Sequence, residues 1–309
     1  MNRHRILGVE LATLVYMGFT LCLMLLWHSS IDDWQQMLLW RGGVLLFMAV
    51  TNVAYHFWPG RPTVMLRAVP LLFCLIQWYP ELYEFCKHLP YQDHLFARAD
   101  QWLFGGQPSL TFADRCSSAL FSELMCLGYY SYYYLMIAAM LGYYFGDYAH
   151  SNRATFVFLC SFFIFYALFI FIPVAGPQYY FAAIGTEAAQ TGTLPPVSHF
   201  AADAPCLQLD VKGVFGQLVV GAQGLGERPE AAFPSSHVGM TLITLVLAWR
   251  LPHKTLFWIL LPFALLLIFS TIYIKAHYLV DVIGAFVLAP PIFRVAIWLS
   301  HRARVLREP

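Results

Sequence analysis

Charge is what this chain has least of. Only 11% of its 309 residues are Asp, Glu, Lys or Arg, while 60% are hydrophobic. A soluble domain carries roughly a quarter charged residues, so a water-facing globule is excluded and a membrane protein is implied. No basic block is present and the net charge is +1, which gives nucleic acid nothing to bind. Cys-x-x-Cys, His-Glu-x-x-His, P-loop and glycine-rich dinucleotide patterns are all missing, so no metal and no other cofactor is expected. Internal repeats and low-complexity tracts are missing too. Of seven cysteines, Cys22, Cys74, Cys126 and Cys160 lie in apolar runs and read as small buried hydrophobes. Cys86, Cys116 and Cys206 lie between runs, where one disulfide could form.

Long apolar runs are abundant. A bilayer core takes about 20 apolar residues per helix, and eight runs qualify, near 6–27, 37–58, 64–85, 118–146, 154–174, 235–250, 255–274 and 277–299. The first is too long for a signal-peptide core and lacks a cleavage site. The expected fold is therefore all-α, a polytopic transmembrane bundle of about eight helices. Residues 1–85 form an N-terminal set of helices and 86–309 a second bundle. Basic residues orient it. Arg3 and Arg5, Arg61 and Arg67, Arg153, Arg250 and Lys254, and Arg302, Arg304 and Arg307 fall on one side if both termini are cytoplasmic, with Asp32 and Asp33 opposite. Two longer segments face away from the cytoplasm. Residues 86–117, with Leu95, Phe96, Trp102, Leu103 and Phe104, read as a helix in the membrane interface. Residues 175–234 form a long loop of the kind that commonly carries function.

Ionisable residues at the ends of such runs are costly and mark sites. His277 and Asp281, four apart, share a helical face, so Asp281 could take a hydrogen bond from one ring nitrogen and leave the other as a nucleophile. A structural His–Asp pair closing a helix end is the alternative. In Phe233-Pro-Ser-Ser-His-Val238, proline opens a helix whose free N–H groups attract an anion. Ser235 and Ser236 add hydroxyl donors, and His237 is placed to act as a general acid. A phosphoryl transition state needs cations nearby. Lys275 is the first candidate; Arg228 and Lys212 could equally be solvated loop charges. Glu123, close to Tyr129, Tyr130, Tyr132, Tyr133 and Tyr134, should face the bundle or the site. Glu10 and His56 are expected to snorkel or pair locally.

These motifs resemble the type 2 phosphatidic acid phosphatase superfamily. Its second motif, Pro-Ser-Gly-His, is matched by Pro234-Ser235-Ser236-His237, and its third, Ser-Arg-x5-His-x3-Asp, by Ser270-Thr271, His277 and Asp281. The resemblance implies a six-helix catalytic core facing the periplasm, lumen or exterior. It also implies a phosphohistidine at His277, support from Asp281, acid catalysis by His237 and no metal. Thr271 replaces the motif's arginine, and no Lys-x6-Arg-Pro motif is present, which leaves Lys275 to substitute. This pattern, with Pro173-Val-Ala-Gly-Pro177, is similar to the inositol phosphorylceramide synthase branch, whose enzymes move a phospho-headgroup to a lipid alcohol. The expected partner is thus a membrane lipid. Two other readings stay open: a transporter with a His–Asp proton relay, and a non-catalytic lipid-binding member of the fold.

Overall fold

A computed structural model describes residues 6–207, 209, 212–224 and 226–302. Arg3, Arg5, Arg304 and Arg307, invoked above for orientation, lie outside the described residues. Three long helices come first, α1 (Gly8–Leu26), α2 (Trp34–Phe57) and α3 (Arg61–Cys86). Two short ones follow, α4 (Asp93–Phe104) and α5 (Pro108–Arg115). Next come α6 (Ala119–Tyr130) and α7 (Tyr132–Gly146), bent by 43° where they meet, and then α8 (Ser151–Phe171). The long loop holds α9 (Pro177–Ile184), α10 (Thr186–Gln190) and α11 (Val214–Gly224). The chain closes with α12 (Ser236–Arg250), α13 (Thr255–Tyr273) and α14 (Leu279–Arg302). Among the described residues there is no strand.

Six of these helices are long and apolar enough to cross a membrane, or seven with α6 and α7 taken as one bent span. The remaining expected run, 235–250, is α12, whose 15 residues reach about 22 Å and fall short of that length. It packs against α7, α8, α13 and α14.

The span containing α8 is 72% buried, against 22% for α2, so α8 is the axis of the fold and α2 its outer wall. α1, α3, α12 and α14 all pack against α8. Aromatic rings join the N-terminal helices to that axis: Tyr16 stacks on Phe163 at 4.2 Å, and Trp78 meets the same ring edge-on at 5.6 Å. α6 lies so close to α13 that a Cβ at Gly128 would stand 2.4 Å from Ser270 Oγ.

The N-terminal helices hold ion pairs inside the bundle. Arg67 is not the loop charge expected from its sequence position. It is 1% exposed, and its guanidinium grips Glu10 through two bonds of 2.8 and 2.7 Å, tying α3 to α1. Arg41 on α2 reaches Glu81 on α3 at 2.9 Å and Thr20 on α1 at 3.0 Å. Three of the basic residues used above for orientation, Arg61, Arg153 and Arg250, keep one end of the bundle. Arg61 lies over the Tyr148 ring, and Arg153 and Arg250 line one cleft. Asp32 sits at the other end, bonded to Lys87. Cys86, Cys116 and Cys206 are thiols, none of them in a disulfide.

Candidate active site

His277 lies in the short turn between α13 and α14. Lys275 adopts φ +65, a left-handed conformation that costs a residue with a side chain and reverses the chain after α13. His277 N–H then bonds back to Thr271 O at 3.1 Å. The result is a ring 3% exposed at the base of α14.

The hydrogen bond expected between His277 and Asp281 goes elsewhere. His277 Nδ1 lies 2.8 Å from Ala232 O and donates to it, while the nearest Asp281 oxygen is 3.7 Å away. His277 precedes the first residue of α14, so the four-residue helical spacing does not govern its side chain. Asp281 Oδ2 serves the helix instead, accepting Tyr278 N–H at 2.8 Å, and Oδ1 is buried without a hydrogen bond. With Nδ1 carrying the proton, Nε2 is left as a lone pair. His237 Nδ1 stands 3.3 Å from it and donates to it.

The partners of His277 are themselves fixed. Ala232 N–H bonds Val174 O at 2.9 Å, and Ala231 before it takes φ +66 to aim that carbonyl. Ser235 N–H bonds the Asp281 carbonyl at 3.2 Å, clamping the two motifs together, and Ser235 Oγ accepts Val238 N–H as the cap of α12. Ser236 is buried beside it. Tyr129 and Tyr132 hold the His237 ring at centroid distances of 4.7 and 4.4 Å.

Two carboxylates that sequence reasoning missed brace this turn from α4. Asp93 accepts Ala175 N–H, Gly176 N–H and the Tyr278 hydroxyl at 2.9, 2.8 and 3.0 Å. Asp100 accepts Leu279 and Val280 N–H at 2.9 Å each, capping α14 from another helix. Burial pushes both acids up to about 6 against the pull of those bonds. Gly176, at φ +97, lets the 173–177 loop lie on the turn, where a Cβ would stand 2.7 Å from Ala276 O. The visible signal was two aspartates seven apart on one helix face. Replacing Asp100 with alanine strands two N–H groups and should lower stability by about 2 kcal/mol. Chemical unfolding in detergent measures this, and an unchanged midpoint would refute the capping role.

Not every sequence candidate joins the cluster. Arg228 is drawn to α3, where it bonds Pro80 O at 3.4 Å, lies 4.0 Å from Glu84 and faces the Tyr83 ring. Lys212 is exposed before α11. Glu123 turns to α11, accepting Phe215 and Gly216 N–H at 3.0 and 2.9 Å. Four-residue helix ends need such partners, and an acidic side chain suits them. Thr271 supplies no charge; its hydroxyl bonds Ile268 O within α13. Lys275 stays in the turn, half-buried, its ammonium pKa lowered by burial while Asp114 pulls it back up. Burial likewise lowers His277 to about 4, so its ring is neutral at physiological pH. Among the described residues no group of three or more His, Cys, Asp or Glu side chains is arranged to hold a metal ion.

Fold and site together define a multi-pass helical membrane protein with two imidazoles meeting at one end of its bundle. A family model described as the PAP2 superfamily matches residues 94–295, more than half of the chain, and the chain belongs to that superfamily. Its members are generally phosphoesterases or phosphotransferases, which makes this a phosphatase-type lipid enzyme. No curated protein and no solved structure matches the chain.

Proposed function

We propose that this protein transfers a phosphoryl or phospho-headgroup from a membrane lipid through a phosphohistidine at His277. One observation carries the reading: the unprotonated Nε2 of His277 faces the Nδ1 of His237 at 3.3 Å. Nε2 attacks phosphorus, and an N–P bond forms as the P–O bond to the lipid alcohol breaks. His237, protonated on its second ring nitrogen as well beside the bound phosphate, gives that proton to the departing oxygen and returns to the neutral ring. In the second half an acceptor hydroxyl attacks phosphorus, its proton passes to His237, and the N–P bond breaks. Asp281 does not orient the ring, yet its carboxylate at 3.7 Å stabilises the positive charge that phosphorylation places on it.

The phosphate oxygens are met by the N-terminus of α12, the hydroxyls of Ser235 and Ser236, and Lys275. Arg228, Glu123 and Thr271 have other work in the fold, and Lys212 is exposed. Seclusion of His277 from solvent supports a lipid hydroxyl as acceptor over water. Phosphoinositol transfer, which the inositol phosphorylceramide synthase resemblance implies, is one form of that reaction. His237 opens α12 and Arg250 ends it, at the end where Arg61 and Arg153 also lie. Positive charge favours the cytoplasm, which supports an active site on the periplasmic, luminal or exterior face with both termini inside. Residues 1–85 are then an N-terminal helical unit docked on the catalytic bundle of 86–309.

Trapping labelled phosphoenzyme from membranes supplied with radiolabelled phospholipids tests the reading. His237→Ala should slow turnover about 10²- to 10⁴-fold while leaving slow labelling at His277 detectable. Label on another residue, or from no donor, would refute it.

A further inference from the structure

The loop that leads into Pro234-Ser235-Ser236-His237 carries two acids that the chemistry above does not use. Glu230 is 3% exposed, and neither of its carboxyl oxygens has a hydrogen-bond partner. Glu227 hydrogen-bonds with the side chains of Gln178 and Gln223, which bond each other at 3.4 Å. Gln178 is only one layer from the catalytic turn, since its N–H donates to Lys275 O at 3.0 Å. Glu227 also lies within electrostatic reach of Tyr129, the ring stacked on His237, and of Tyr179 and Tyr79. Tyr79 and Tyr179 are within reach of Glu230 too.

Arg228, the residue between these acids, pulls Glu230 down only in part, its guanidinium being bonded to Pro80 O and lying 4.0 Å from Glu84. Removal from bulk water pushes Glu227 up to about 7 and Glu230 well above the usual carboxylate range. Both carboxyls therefore gain from a cation that arrives with a ligand. Tyr79, Tyr129 and Tyr179 lie within the same electrostatic reach, and aromatic rings favour a cation.

We infer that Glu227 and Glu230, with Tyr79, Tyr129 and Tyr179, receive the ammonium end of a phospholipid head group of the ethanolamine or choline class. This rests on the phosphohistidine reading and supplies its substrate class. The link from Glu227 through Gln178 to Lys275 O sets the acid one layer from the turn that holds His277, and the head group's short carbon bridge spans that layer. The P–O bond that breaks is the one to the diacylglycerol oxygen, so the ammonium stays in its receptor through both halves of the transfer. Purely anionic donors, such as phosphatidic acid or a polyprenyl diphosphate, bring no cation for these buried carboxyls to pair with.

Binding and turnover separate this claim from its parent. Calorimetry on the full-length protein in detergent should show phosphocholine or phosphoethanolamine binding at least tenfold tighter than glycerol phosphate or inositol phosphate. Glu227→Gln should abolish that preference, and His277→Ala should keep it. Equal affinities in the wild type, or an unchanged preference in Glu227→Gln, would overturn the receptor; the wild-type comparison decides even if the variant misfolds. In vesicles, phosphatidylcholine or phosphatidylethanolamine should be consumed at least tenfold faster than phosphatidylinositol or phosphatidic acid, and the reverse order would also overturn it. Failure of every lipid to label His277 would instead remove the phosphohistidine reading, while the calorimetry still judges the ammonium site.

Discussion

His277→Ala is expected to reduce head-group or phosphate transfer to background, a loss of about 10⁴-fold or more for a covalent nucleophile. The reason is local. Nδ1 is committed to the Ala232 carbonyl, so Nε2 is the sole atom of that ring able to attack, and alanine leaves nothing in its place. Burial also sets the pH range. An ordinary histidine titrates near 6.5, but this ring is lowered to about 4. The neutral, nucleophilic form thus persists well below pH 6, and the acid limb of kcat/KM should fall near pH 4 to 5. The same shift has a stability consequence. Because the folded value lies below the unfolded one, the unfolded chain gains a proton first as pH falls from about 6.5 to about 4, and this contribution to stability is lost across that window. Initial rates across pH check both. Residual turnover within tenfold of wild type in His277→Ala, or an acid limb near 6.5, would count against the assignment.

Much of this architecture could be read from apolar length alone, because a bilayer demands unbroken helices and leaves few alternatives. The two motifs were legible for a related reason: histidine and aspartate are rare at the ends of such runs. What escaped were partnerships between a side chain and a distant backbone. Asp100 caps α14 from 179 residues away, and no local pattern announces such a bond. The 86–117 segment illustrates the difficulty. Trp102 and Leu95 are exposed on α4, whereas Asp93, Ala97 and Asp100 are buried, so the polar edge faces the protein and the apolar edge faces out. Its aromatic content was visible, but the destination of its aspartates was not. The same holds for His277, whose nearest acid in sequence is not its hydrogen-bond partner.

Arg67→Ala should be the most destabilising single change in the N-terminal helices, at about 3–5 kcal/mol, the usual range when one member of a buried ion pair is removed. Glu10 would be left buried, 2% exposed, with the Leu7 N–H at 2.7 Å as its remaining hydrogen-bond donor among the described residues. Arg67 also spreads over the Tyr55 ring at 5.1 Å, so its apolar stem and its charge are lost together. Removing both charges is a different experiment. Arg67→Met with Glu10→Leu leaves no orphan and should recover most of the loss, since a buried pair need not be more stable than apolar residues of similar size. The second pair should respond less to alanine. Arg41 makes one bond to Glu81, and Arg41 Nε and Glu81 Oε1 are already without partners. Unfolding in mixed detergent micelles, with transfer rates followed alongside, separates stability from catalysis. The site is built from α12, α14 and the turn before α14, whereas α1 packs on α2, α3 and α8. Folded Arg67→Ala protein should therefore keep rates within a few-fold of wild type. A loss below about 1 kcal/mol in Arg67→Ala, or no recovery in the double variant, would mean that this pair is not what fastens α1 to α3.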